Sequence, residues 1–184
     1  MPAIRWLLPM RLEAYSWDAL HGPSWSSIAS RSQVASYRLD WHIAGDMRLV
    51  LDTNVLVTAF RSRTGASAEV VRLIRRRELT MLATVSLFLE YEEVLTRPEH
   101  LARAEITATE AEGALDVLAA VLEPVEPHFL WRPRLRDADD DMVLEAAVNG
   151  HAEAIVTFNS RDFVGVVGEF GIELLTPVAI LRRM

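Results

Sequence analysis

Four short apolar runs, RLVLD (48–52), LTMLAT (79–84), AEAIVTF (152–158) and IELLT (172–176), are separated by longer segments with helical spacing of apolar residues. That alternation leaves few architectures open. Parallel strands need crossover helices, so the pattern from Met47 onward predicts an α/β layered fold with a parallel sheet. Helices are expected in SAEVVRLIRRREL, with apolar residues at 70, 71, 73 and 74, and in SLFLEYEEVL, with Ser86 as N-cap. TATEAEGALDVLAAVLEP opens on a capping box, Thr107 with Glu110, and should stop before Pro124. DMVLEAAVNG ends on Asn-Gly, a C-terminal signal.

Residues 1–46 read differently. They hold four of the five tryptophans and the Ser-rich stretch GPSWSSIASRSQVAS, without a sustained period of either kind. Two domains of the chain follow: 1–46, an N-terminal extension that is poorly ordered or lies upstream of a natural start at Met47, and 47–184, the folded domain.

Composition removes several chemistries. Of the 184 residues none is cysteine, which excludes disulfides, thiolate catalysis and zinc ribbons and favours a reducing, cytoplasmic setting. All 19 basic residues are arginine, so a phosphate loop with its lysine, a Schiff base and a receiver-domain lysine are absent. No apolar run approaches the roughly 18 residues of a membrane span. The formal charge of −7 argues against a surface that is basic all over, though not against a local arginine groove.

Acids recur where an open parallel sheet gathers its functional groups, at the carboxyl ends of strands. Asp52 ends the first run, inside LDTNV, where helix capping alone would account for it. In RDADDDMVLEAA, a helical wheel puts Asp140 at the centre of the apolar face and Asp141 roughly 90° away. Asp140 is therefore expected to point inward. Asp137, Asp139 and Asp141 read as a solvated acid run at a helix start, where the macrodipole favours them. In SLFLEYEEVL, Glu93 lies opposite the apolar stripe, and of the flanking pair Glu90 and Glu92 the first is nearer the strand ends. NSRDF, after the third run, adds Asn159 and Asp162, residues that turns also favour. Each fragment alone is weak. Together, four acids at equivalent places form a constellation, and without lysine, cysteine or spaced histidines they require a cation. Oxygen-only ligation suits Mg²⁺ or Mn²⁺.

At these residues the chain from Met47 onward resembles the PIN-domain ribonucleases, in particular the bacterial toxins of toxin-antitoxin pairs. The matching pieces are LDTNVLVTAF, SLFLEYEEVLTRP, RDADDDMVLEAAVNGHAEAIVTFNSRDF and IELLTPVAIL. The resemblance implies a three-layer α/β/α sandwich with a central, mainly parallel sheet, and Mg²⁺- or Mn²⁺-dependent hydrolysis of single-stranded RNA. By motif it implies Asp52, Glu90, Asp140 and Asp162 as catalytic residues, with Asp52, Asp140 and Asp162 on the metal. Asn54, Asp141, Thr157 and Asn159 stand beside them as supporting residues. Many relatives carry Asp where this chain has Asn159, so the fourth position departs from the pattern. A small antitoxin partner and a homodimer are further implications.

Arginines of RLIRRREL (Arg72, Arg75, Arg76), WRPRLR (Arg134, Arg136) and the C-terminal LRR are candidates for gripping the RNA backbone, although each cluster also suits a solvated helix face. Two other enzymes with a strand-end Asp fit less well. A haloacid-dehalogenase-like phosphatase needs its second acid where Asn54 stands, and a phospho-receiver needs a lysine. The remaining rival is a PIN scaffold that binds RNA or protein without cutting it.

Overall fold

A computed structural model describes residues 47–184 other than 131 and 136. The expected extension at 1–46 and the candidate Arg136 lie outside the described residues. Five parallel strands, β1 (Arg48–Leu51), β2 (Thr80–Ala83), β3 (Glu123–Pro124), β4 (Ala154–Val156) and β5 (Glu173–Leu175), form one sheet in the order β3-β2-β1-β4-β5. Eight helices join or flank them among the described residues: α1 (Thr53–Arg61), α2 (Ala66–Arg75), α3 (Val85–Leu95), α4 (Pro98–Ala104), α5 (Ala108–Val121), α6 (Ala138–Asn149), α7 (Ser160–Phe170) and α8 (Pro177–Leu181). This is the layered α/β fold with a parallel sheet expected from the alternation, in the α/β/α form that the resemblance implies.

Successive strand residues point to opposite faces, yet Leu49, Val50, Leu51, Met81, Leu82, Ala83, Ala154, Ile155 and Val156 are all fully buried. Both faces of the sheet are therefore covered, as a parallel sheet requires. All four expected strands form, each a residue or more shorter than its apolar run. Strand β3 is the unexpected one. Its two residues pair with Leu82 and Ala83, and proline is tolerated there because the strand lies at the sheet edge.

Caps decide where helices begin. The capping box forms as expected: the Thr107 hydroxyl accepts from the Glu110 amide at 3.2 Å, and the Glu110 carboxylate accepts from the Thr107 amide at 2.8 Å. Helix α3 instead starts two residues earlier than expected. Thr84, not Ser86, is its N-cap and accepts from the Leu87 amide at 3.2 Å. The strand end itself supplies the cap, so no loop separates β2 from α3.

The clearest correction concerns Asp141. Far from being solvated, it is 2% exposed and accepts from the amides of Leu135 (2.8 Å) and Arg134 (3.2 Å). Two further side chains of α6 hold the same incoming strap. Glu145, 1% exposed, takes a forked ion pair from Arg132, closing to 2.9 Å. Asn149 accepts from the amides of His128 (2.9 Å) and Phe129 (3.0 Å) and donates to the Phe129 carbonyl. Positions 141, 145 and 149 repeat every four residues and so share one stripe of the helix. The wheel weighed only the face turned to the sheet; it could not show that the preceding strap covers a second face.

This latch fixes the start of α6, where Asp140 sits. Asp141→Ala should lower stability by about 1–3 kcal/mol, the cost of stranding backbone donors. Denaturant unfolding measures the loss, and faster hydrogen exchange at the Arg134 and Leu135 amides would place it in the strap. Unchanged exchange there would refute the latch.

Candidate active site

The central strand β1 connects outward to β2 and β3, and the chain then returns to lay β4 and β5 on the other side. The crevice between β1 and β4 is thus the topological switch point, where open α/β sheets place ligands at the strands' carboxyl ends. Asp52 and Thr157 leave the two strands there, and the ladder continues past them, with the Asp52 amide donating to the Val156 carbonyl at 3.0 Å.

Asp52 caps α1, as its capping reading expects, and does so at the crevice end of β1. One carboxylate oxygen, Oδ2, accepts from the Asn54 side-chain amide at 2.6 Å and from the Thr157 hydroxyl at 2.5 Å. The other, Oδ1, accepts from the Asn54 backbone amide at 3.2 Å. Thr157, 1% exposed, accepts in turn from the Asn159 amide at 2.8 Å. Burial pushes the Asp52 carboxyl above its usual range; the Thr157 and Asn54 bonds oppose the rise, and the Asp162 charge adds to it. Beneath this group Tyr91, fully buried, donates its hydroxyl to the Leu51 carbonyl and ties α3 to the end of β1.

Glu90 reaches the same region from α3. Its Oε1 accepts from the Thr53 hydroxyl at 2.6 Å, while Oε2 is buried with no hydrogen-bond partner among the described residues. Burial, then the charges of Asp139, Asp52 and Asp140, push its carboxyl up to about 7, against the Thr53 bond. The competing acids turn elsewhere: Glu92 is exposed, and exposed Glu93 pairs with Arg97 at 2.7 Å.

Asp140, half-buried in the first turn of α6, has its carboxyl raised to about 6 by burial and by the charges of Asp52, Asp162, Asp137 and Asp139. Asp162, exposed in the first turn of α7, is felt by both Asp52 and Asp140. Asp52, Glu90 and Asp140 therefore lie within electrostatic reach of one another, and Asp162 within reach of Asp52 and Asp140. Asp137 serves as the N-cap of α6, accepting from the Asp139 amide at 3.1 Å. Two residues with direct roles here, Thr53 and Tyr91, were not singled out in the sequence. Thr53 stands inside LDTNV, but only the packing of α3 against α1 shows what its hydroxyl meets.

The candidate arginines are placed less favourably. Arg72 and Arg75 occupy the last turn of α2, and Arg76 caps it, at the end that feeds the start of β2. That is the amino edge of the sheet, opposite Asp52. Arg72 pairs with Glu69 at 2.7 Å, Arg76 with Glu78 at 2.6 Å, and Arg134 with Glu169 at 2.5 Å.

An oxygen-only donor set, with one buried carboxylate oxygen unengaged, fits a hard divalent cation such as Mg²⁺ or Mn²⁺. As the side chains stand, no three acids or histidines among the described residues converge into a ready metal centre. Unneutralised carboxylates repel, so gathering around an ion requires side-chain rotation in the more accessible members, half-buried Asp140 and exposed Asp162.

Raised carboxyl values carry a definite pH signature. Glu90 moves from 4.5 to about 7 and Asp140 from 3.8 to about 6, so the folded chain binds more protons than the unfolded one between those limits. Metal-free stability should therefore fall as pH rises through that window and level off above about 7. Glu90→Gln should flatten the upper part of the fall in urea unfolding series; an unchanged slope would contradict the burial of this group.

Residues 48–161, more than half of the sequence, match the PIN domain. No curated protein matches the chain as a sequence. Among solved structures, a chain of VapBC2 from Rickettsia felis, bound to a DNA fragment from its promoter, is similar in fold, with a TM-score of 0.51 at 16% identity. The likeness covers 71% of this chain and 98% of that one. Among the described residues no helix is long and apolar enough to cross a membrane. With the parallel sheet, the strand-end acids and the matched span in agreement, the chain belongs to the PIN-domain family.

Proposed function

We propose that the protein is a divalent-metal-dependent endoribonuclease cutting single-stranded RNA, and the toxin of a toxin-antitoxin pair. The observation that carries the reading is that Asp52, Glu90 and Asp140 lie close enough to feel one another's charge at the carboxyl edge of the sheet, with the Asp162 charge acting on Asp52 and Asp140. Repulsion of that kind is relieved by a cation. Membership of the PIN family and the likeness in fold to a VapBC2 chain support the nuclease and the antitoxin partner respectively.

Asp52, Asp140 and Asp162 would hold Mg²⁺ or Mn²⁺. When bound, the ion polarises the scissile phosphate and acidifies water for in-line attack. The chain's own contribution is orientation and proton handling. Thr157 and Asn54 fix both oxygens of Asp52 and remove its rotational freedom, leaving a lone pair of Oδ1 for an ion. Glu90, held by Thr53 through one oxygen, keeps the other available to orient or deprotonate the attacking water. Asn159, in place of the Asp common among relatives, leaves the charge of the fourth position to Asp162.

Cleavage of a generic single-stranded RNA by the full chain should require Mn²⁺ or Mg²⁺, stop with EDTA, and be lost in Asp140→Asn. Asn54→Ala, which frees Asp52 to rotate, should cost about 10- to 100-fold, the usual effect of removing a residue that orients a metal ligand. Metal-independent cleavage, or full activity in Asp140→Asn, would sink the mechanism. A Mn²⁺-dependent rise in melting temperature without any cleavage would favour a PIN scaffold that binds without cutting.

A further inference from the structure

The amino-edge position of Arg72, Arg75 and Arg76, and the pairing of Arg134 with Glu169, raise a physical problem for the function just proposed. A polyanion must settle against an edge lined with carboxylates, on a chain of formal charge −7. A bound cation neutralises the scissile phosphate, but it does not hold the flanking nucleotides. Single strands offer a second source of binding energy, the unpaired faces of their bases.

The same edge carries apolar surface that packing does not use. Phe158, two residues past β4, is 49% exposed, and Val85 and Leu89, in the first half of α3, are 51% and 53% exposed. In the strand order these groups bracket Asp52, with Phe158 on the β4 side and α3 on the β2 side. Phe158 is also tied to the acid itself. Its backbone amide donates to the Asn54 side-chain carbonyl at 3.4 Å, and the same Asn54 holds Asp52. On its other side, Thr157 donates to Asp52 and accepts from Asn159. The ring is thus presented to solvent from a backbone segment pinned at both neighbours, a low-entropy arrangement for a stacking surface.

We infer that Phe158 is the base-stacking platform of the active site, gripping the nucleobase beside the scissile phosphate of single-stranded RNA. This rests on the proposed nuclease reading and deepens it: affinity comes from stacking more than from phosphate contacts, so cleavage tolerates many sequences but demands unpaired bases. Arg161, exposed in the first turn of α7, supplies a phosphate contact from the same side.

Binding of a short fluorescent oligouridylate to the full chain, in an Asp140→Asn background with Mn²⁺, tests the platform without requiring cleavage. Phe158→Leu keeps apolar bulk but removes the aromatic face, and should weaken binding roughly 5- to 150-fold. Phe158→Tyr should retain the parent affinity. An abasic strand of equal length should bind the parent and the Leu variant alike. The salt dependence for the parent should be shallow, with a log–log slope between about −0.7 and −1.4, matching one or two neutralised phosphates. Equal affinity of Phe158→Leu and the parent for oligouridylate, or an equal loss on the abasic strand, would overturn the proposal. A parent that binds no oligouridylate would overturn it too. Failure of the wild type to cleave RNA, with the stacking pattern intact, would instead count against the nuclease reading alone.

Discussion

Everything at the carboxyl edge depends on keeping Asp52 at the end of a fully buried strand. Asp52 is 7% exposed, and burial raises its carboxyl while three hydrogen bonds from Asn54 and Thr157 oppose the rise. The two Asn54 bonds are local, but the Thr157 bond crosses from the neighbouring strand and exists only when β1 and β4 are in register, with Leu51 opposite Val156.

The same logic extends to the other acids. Glu90 is positioned by Thr53 from the first turn of α1 and by the Tyr91 hydroxyl on the Leu51 carbonyl, which together lock α3 to the strand end. Asp140 is positioned at one remove. The stripe of Asp141, Glu145 and Asn149 fastens the preceding strap along α6, and this determines where the helix begins. Three polar side chains on one helix face do structural service while the adjacent residue faces the crevice. Charge density in RDADDDM is therefore divided among distinct tasks: Asp137 caps, Asp141 latches, and Asp140 joins the other acids.

At the opposite edge, Arg48 makes a forked ion pair with Glu123, closing to 2.7 Å, and donates to the Gly150 carbonyl. That end is given over to binding the sheet and α6 together. The division of labour, cohesion at the amino edge and carboxylates at the carboxyl edge, follows from parallel topology, since every strand delivers its next helix N-terminus to the same side.

Periodicity and capping chemistry were enough to read four of the five strands and the capping box at Thr107, because these depend on interactions within a few residues. The sequence alone also determined what chemistry was excluded, through the absence of lysine and cysteine. What only the tertiary structure decided depends on partners distant in the chain. Strand β3 forms because β2 offers an unpaired edge, Thr84 displaces Ser86 as cap because the strand stops there, and Asp141 is buried because a strap folds over it. The choice of Glu90 over Glu92 likewise rests on Thr53, 37 residues earlier, whose hydroxyl no local pattern could bring to that carboxylate. Local free energies shape the elements; which polar groups meet is settled only by the packing that removes them from water.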